Sequence, residues 1–308
     1  MAGLAMSPSA HAGIAYATQT DRVIRFDTAS PSTTFAVVAT SSAAFGSFPQ
    51  GIELGLDGQL YVAQSATGAF FRVNPTSGAI TTLATLTRPA GTTSSWFFQD
   101  LALDPNTGQM LALYSNPSAQ NHRLLSINTA TSVTTDLGTI TGLPASSAFA
   151  DGLAIGSDGT RYITWRGNGS VYTLGNAGLL AATRIGTVSA TSATANGLGI
   201  DRTAFADPAG DVWYGATESG VQRINADGSP GPLVWNGGRC WDVTFSPVPA
   251  PAGASALMLA VCGGALRRKQ RPRAGEAPRG RSRKQTTHTK LTLTSPSPLI
   301  PGMHSHGV

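Results

Sequence analysis

Gly51–Leu83 reads GIELGLDGQLYVAQSATGAFFRVNPTSGAITTL. Four short apolar and β-branched runs, GIEL, LYVA, FFRV and AITTL, are set apart by polar and glycine-containing breaks. Asp57-Gly58, and Asn74-Pro75 followed by Ser77-Gly78, are turn chemistry, because Gly accepts φ > 0 and Asn or Asp tolerates it. Short apolar runs between such turns predict the strands of a meander.

The pattern recurs along the chain. Asp100–Leu137 repeats it as DLAL, DPNTGQ, MLAL, RLLSI and VTTDL. Gly152–Ile185 gives GLAI, GSDGT, RYIT, SVYTL and LAATRI, and Gly197–Val234 gives GLGI, an insert ending in PAGD, VWYG, VQRI and a last strand near Leu233. Four strands in a period of roughly 45 to 50 residues is the signature of a β-propeller blade. The two ends complete the set. Asp242–Phe245 is a first strand with no successors, whereas Ile14–Val38 (IAYA, RVIRF, TFAVV) supplies strands two to four without a first. The chain is therefore expected to be all-β, with residues 13–247 forming a five-bladed β-propeller closed by pairing the C-terminal strand with the N-terminal blade. Closure of this kind removes an exposed sheet edge. A β-sandwich or a solenoid would leave the matching half-blades unexplained.

The 308 residues could hold two domains, but the repeats leave room for one. The net charge of +5 comes from the tail: ten of the 21 Lys and Arg follow Leu266, where Glu276 is the one acid. Residues 1–266 carry 11 Arg, no Lys and 15 acids. A weakly acidic body without a basic stripe excludes a nucleic-acid binder of the electrostatic kind. Cys240 and Cys262 form no metal or disulfide pattern, and Cys240 reads as a small buried hydrophobe.

Residues 1–12 read as the remnant of a secretory signal peptide, with Ala10-His11-Ala12 fitting the small-x-small cleavage rule. Residues 248–269 combine a proline-rich break (Pro249-Ala250-Pro251), the apolar run Ala252–Leu266 and the basic cluster Arg267-Arg268-Lys269. Their order suits a short C-terminal apolar helix held by cytoplasmic positive charge. The run is shorter than the roughly 20 residues of a stable span, which favours a transient inner-membrane anchor. The segment resembles the PEP-CTERM sorting signal, with Pro-Ala-Pro in place of Pro-Glu-Pro. That resemblance implies export, an exosortase-type sorting enzyme as partner, and residence at the cell surface or in the extracellular matrix. A plain membrane anchor is the alternative. Residues 270–308 read as a disordered basic tail.

The propeller's residue inventory limits its chemistry. Without Lys it has no Schiff-base or Ser-Lys mechanism. Its one histidine, His122, lies in an Asn- and Ser-rich stretch and is expected to be a solvated loop residue. No phosphate loop, zinc spacing or haem motif occurs. Oxygen ligands remain: Gln50, Gln99-Asp100, Asp151, Asn196 and Trp241-Asp242 lie at or just before each innermost strand, and Glu53 lies inside the first. Equivalent blades would gather them at the tunnel mouth, where Glu53, Asp100, Asp151, Asn196 and Asp242 make a candidate set for Ca²⁺. The set is similar to the divalent-metal site of gluconolactonase- and regucalcin-type propellers. Asp151-Gly152 and Asn196-Gly197 are more simply explained as turn residues opening a strand. Tyr16, Tyr61, Tyr114, Tyr162 and Tyr214, all on second strands, are expected with Trp165, Trp213 and Trp241 to pack between blades.

These readings lead to an exported, monomeric binding module for surface polysaccharide or protein. A Ca²⁺-dependent lactonase- or lyase-like enzyme is the alternative, and a structural matrix component the third.

Overall fold

The computed structural model describes residues 13–246 except positions 47, 93, 147, 167, 176–179, 188–195, 203–210 and 226–228. The signal remnant, the sorting segment with Pro249, Pro251, Arg267, Arg268 and Lys269, the apolar helix and the basic tail all lie outside the described residues. No helix among the described residues is long and apolar enough to cross a membrane.

Twenty described strands form five four-stranded antiparallel sheets. The closing blade holds β1 (Ile14–Thr18), β2 (Arg22–Asp27) and β3 (Ala36–Thr40). Blade one is β4 (Pro49–Leu54), β5 (Leu60–Gln64), β6 (Phe70–Val73) and β7 (Ile80–Thr82). Blade two is β8 (Phe97–Leu103), β9 (Met110–Asn116), β10 (Asn121–Asn128) and β11 (Val133–Ile140). Blade three is β12 (Ala150–Ile155), β13 (Arg161–Trp165), β14 (Ser170–Leu174) and β15 (Ala182–Thr187). Blade four is β16 (Gly197–Asp201), β17 (Val212–Thr217), β18 (Gly220–Ile224) and β19 (Pro230–Trp235). The last strand, β20 (Asp242–Ser246), pairs antiparallel with β1, from Ile14 opposite Ser246 to Thr18 opposite Asp242. The chain's two ends thus complete the fifth blade, as the unmatched half-blades require.

The hairpins follow their turn residues. Asp57 Oδ1 accepts the Gln59 N–H, Asp104 Oδ1 that of Asn106 and Asp158 Oδ1 that of Thr160. Gly58, Gly108 and Gly159 close the three turns at φ of 70°, 70° and 85°, where an L side chain is strained.

Burial falls from the axis outward. The innermost strands β8, β12 and β16 are buried almost throughout, whereas the outer strands β7, β11 and β15 are largely exposed. The core is five clusters, one between each pair of neighbouring blades. The second-strand tyrosines pack there: Tyr114 lies 4.7 Å from Phe98 and 5.0 Å from Trp96, and Tyr162 lies 4.4 Å from Trp213. Cys240 is fully buried in the cluster between blade four and the closing blade.

An innermost strand has one edge bonded to its blade and the other facing the tunnel, where its amides need acceptors. Two carboxylates provide them. Asp100 Oδ1 accepts the Leu101 N–H at 2.6 Å, and its Oδ2 accepts those of Leu153 at 2.6 Å and Leu198 at 3.3 Å. Asp242 Oδ1 accepts the Val243 N–H at 2.7 Å and Oδ2 that of Ile52 at 2.6 Å. The donors are the equivalent residues of all five blades.

The residue before each donor is Gly51, Asp100, Gly152, Gly197 or Asp242. Glycine is needed in three of them because the axis is full. A Cβ on Gly197 would lie 2.2 Å from Asp242 Oδ1, and one on Gly152 would lie 2.8 Å from Leu198 N. Burial holds both carboxyl groups well above the ordinary value of 3.8; the neighbouring Asp242 raises Asp100 further, whereas the hydrogen bond from Asp100 offsets part of the rise in Asp242. The pair therefore keeps protons above the pH at which free carboxyl groups lose them.

In the window above 3.8 the folded chain binds more protons than the unfolded one, so this contribution to stability falls as pH rises through the raised values. Asp242→Asn removes one of the two titrations and leaves one buried amide without an acceptor. Urea unfolding followed against pH should show a lower stability throughout, by about 1–3 kcal/mol. The fall with rising pH should also be shallower, by up to about 1.4 kcal/mol per pH unit. An unchanged slope would show that the pair does not hold protons above the ordinary carboxyl range.

Candidate functional site

The five sequence-predicted metal ligands do not converge. Asp100 and Asp242 come together on the axis, with their oxygens engaged by five amides and by each other. Asp151 and Asn196 stand one residue ahead of the axial glycines, toward one mouth. Glu53 lies three residues along its strand from Gln50, the blade-one equivalent of Asp151, which is about 10 Å of extended chain. It lines the opposite mouth. Among the described residues no group of three or more His, Cys, Asp and Glu side chains is placed to hold a metal ion. The donor set therefore does not fit Ca²⁺ as the sequence grouped it: the axial oxygens already have donors, Asp151 and Asn196 lie toward one mouth, and Glu53 lines the other.

What the fold does gather is a polar ring at the first mouth. Gln50, Gln99, Asp151, Asn196 and Trp241 occupy equivalent positions and are all buried. Register shifts between Pro49 and Gly51, Phe98 and Asp100, and Ala150 and Leu153 mark bulges at this level in three blades. Bulges re-aim side chains in this way beside functional sites.

Asp151 is fully buried and ion-paired to Arg166 through Oδ2. Burial pushes its carboxyl up to about 7, against the pull of Arg166 and Arg239. Asn196 donates from Nδ2 to the Cys240 carbonyl at 3.0 Å. Asp151 Oδ1, Asn196 Oδ1, Arg166 Nη2, Trp241 Nε1 and Thr18 Oγ1 are buried without a hydrogen-bond partner among the described residues. Such groups are uncommon in native proteins and call for an explanation.

Aromatic rings stand over the polar ring. Phe48, Phe97 and Phe149 each sit two residues before its members Gln50, Gln99 and Asp151. Phe48 is 48% exposed and meets Trp241 edge-on at 5.3 Å, and Phe97 meets Phe149 edge-on at 5.6 Å. The Arg239 guanidinium stacks 3.7 Å over Trp241, and Arg166 lies 5.1 Å over Phe149. Both cations are paired, Arg166 with Asp151 and Arg239 with Glu218, so the mouth is charge-balanced.

Trp241 is buried, in line with its expected packing role, and also belongs to the mouth, with its indole N–H unpartnered among the described residues. One sequence expectation is corrected here. His122 is not a solvated loop residue: it is buried on β10, with its ring edge-on to Trp165 at 5.2 Å. Along β10 it alternates with Leu124 onto the covered face, which the polar neighbours concealed. Burial lowers its pKa to about 4, so it is neutral at pH 7. The Ser115 hydroxyl donates to the Ala150 carbonyl at 3.1 Å, so His122 Nδ1, at 3.0 Å from Ser115 Oγ, must act as donor. A histidine that donates to a serine cannot take that serine's proton, so this is no nucleophile–base pair.

The phenylalanines were the residues the sequence reading missed. Their signal is the recurrence Phe48-Pro49-Gln50-Gly51, Phe97-Phe98-Gln99-Asp100 and Phe149-Ala150-Asp151-Gly152.

No protein-family model and no curated protein sequence matches the chain. Among solved structures it is similar to a gluconolactonase from Xanthomonas campestris, at 16% identity and a TM-score of 0.46, over 72% of this chain and 71% of that one. It is also similar to a chain of a nidogen–laminin complex, at 15% identity and 0.49, over 76% and 98%. A virginiamycin B lyase from Staphylococcus aureus aligns at 13% identity and 0.42, over 80% and 73%. These likenesses concern the architecture and say nothing of a ligand.

Thermal unfolding in excess Ca²⁺ and in chelator should give coincident transitions. A site filled to 100 times its dissociation constant would add about 2.7 kcal/mol, and a shift of that size lost in Asp151→Asn would restore the metal reading.

Proposed function

We propose that the propeller is an exported binding module that takes a neutral, hydroxyl-rich ligand, a surface polysaccharide chain, at the Asp151 mouth. The observation that carries this reading is the pairing of an aromatic rim with a polar floor whose donors and acceptors lack partners. Sugar rings present apolar faces to aromatic rings and hydroxyl groups that both donate and accept. Asp151 and Asn196 would accept, and Arg166 and Trp241 would donate. The floor atoms lie beneath the rim, so a ligand reaches them by parting it, and half-exposed Phe48 is the ring freest to move. The paired state of Arg166 and Arg239 favours a neutral chain over an acidic one.

Affinity electrophoresis through gels containing soluble neutral glucans and, separately, acidic polysaccharides tests this. Retardation by a neutral polymer should weaken about tenfold in Phe48→Ala, a loss of about 1.4 kcal/mol. Phe48 is exposed enough for the variant to fold. Absence of retardation by any neutral polymer, or retardation indifferent to Phe48, would sink the proposal.

A catalytic reading is favoured by one observation, the Asp151 carboxyl at about 7, which suits proton transfer near neutral pH. In that reading Asp151 would act as acid or base on a sugar lactone, and hydrolysis lost in Asp151→Asn with binding retained would select it.

Export rests on the signal remnant and the sorting segment. Deleting residues 248–308 should move the propeller from the cell-surface fraction to the medium, as measured by fractionation and immunoblotting. Unaltered surface retention would locate the address elsewhere.

A further inference from the structure

The opposite mouth of the tunnel is built differently. A cavity of about 410 Å³ lies where the innermost strands of blades one, two and four and the closing blade end. Its walls include Leu54, Leu56, Leu103, Pro105, Ile200 and Phe245. Glu53 and Arg202 are its charged lining residues. The volume is within the usual range for a small-molecule site, and apolar walls with a few fixed polar groups are the usual composition.

Arg202 is held rigidly. Nε donates to the Ile155 carbonyl at 3.1 Å, and Nη2 donates to the carbonyls of Leu103 and Ile155, both at 2.9 Å. Carbonyl groups fix the guanidinium without neutralising it, and it forms no ion pair with Glu53, although both line one cavity. Burial pushes the Glu53 carboxyl up to about 7, despite Arg202, the Thr244 hydroxyl and the Leu54 and Leu103 amides. The Asp242 carboxyl also faces it. Near neutral pH the cavity thus offers a fixed cation and a carboxyl able to donate a proton in a hydrogen bond. At the rim, Leu56 is 77% exposed, which leaves a large apolar side chain in water beside an apolar cavity.

We infer that this mouth is a second ligand site, separate from the Asp151 mouth, for a small amphiphile with a carboxylate head and a short apolar body. The head is placed between Arg202 and Glu53, where it accepts hydrogen bonds from both. The body lies along Ile200 and Phe245, and Leu56 closes over it. A cationic ligand is disfavoured by Arg202, and a wholly apolar one would use neither charged side chain of the lining.

Isothermal titration of the full-length protein with octanoate and with its neutral counterpart octanamide tests the assignment. Octanoate should bind at least about tenfold more tightly than octanamide, and Arg202→Gln should remove most of that preference. Leu56→Asp, at an exposed position that cannot unfold the blade, should weaken octanoate by about tenfold as well. Asp151→Asn, at the other mouth, should change neither. If Arg202→Gln does not fold, Leu56→Asp and the octanoate-to-octanamide ratio decide alone. No octanoate binding up to about 1 mM, equal binding of the two probes, or indifference to Leu56→Asp would each overturn the site.

Discussion

Five buried tunnel-facing amides need acceptors at the axis, and the rest of this structure follows from how that is met. A buried N–H without an acceptor costs about 1–3 kcal/mol, so five of them would consume much of a domain's stability. Asp100 and Asp242 answer all five with four oxygens. Two buried carboxyl groups side by side resist ionising together, and both are held well above the ordinary value, which makes the arrangement tenable. Gly51, Gly152 and Gly197 are the complement, because a side chain at any of them would occupy the space that the carboxyl groups and their backbone donors need.

This plug gives the molecule two separate ends. With Asp100 and Asp242 crowding the axis, the two mouths can differ in chemistry. The Asp151 mouth is polar beneath and aromatic above, with its cations paired. The Glu53 mouth is apolar, with a cation fixed by backbone carbonyls. The same strands serve both ends: moving three residues along β4, from Gln50 to Glu53, carries the chain from one set of surroundings to the other.

The architecture was legible in the sequence because it is periodic. Turn residues at matching offsets gave the blades, and the unmatched strands at Ile14–Val38 and Asp242–Phe245 gave the closure, which the β1–β20 register shows directly. The site was less legible for two physical reasons. Position along a strand does not reveal what the neighbouring backbone demands, so Asp100 and Asp242 resembled metal ligands when their oxygens serve amides. The alternation Gly51, Asp100, Gly152, Gly197, Asp242 carried that information, since glycine recurs only where the carboxyl groups need room. Nor did local polarity reveal burial: Asn116, Ser118 and Asn121 ahead of His122 suggested a loop, yet its strand lies against blade three, where Trp165 covers the ring.

Raised carboxyl pKa values often mark catalytic centres, and the described residues include four: Glu53, Asp100, Asp151 and Asp242. Burial is the first cause in all four, but their surroundings differ, and those differences bear on function. In Asp100 and Asp242 the shift accompanies amide acceptance on the axis, a structural task. In Glu53 it leaves a neutral donor beside a fixed guanidinium, which suits recognition of an anion. Asp151 alone stands where proton transfer to a ligand could occur, and it has no second carboxyl or histidine beside it among the described residues. Arg166 holds one of its oxygens, while the other oxygen lacks a donor. An oxygen fixed by a cation and waiting for a hydroxyl is better prepared to orient a sugar than to exchange a proton with it. Binding at the Asp151 mouth therefore demands less of this arrangement than catalysis would.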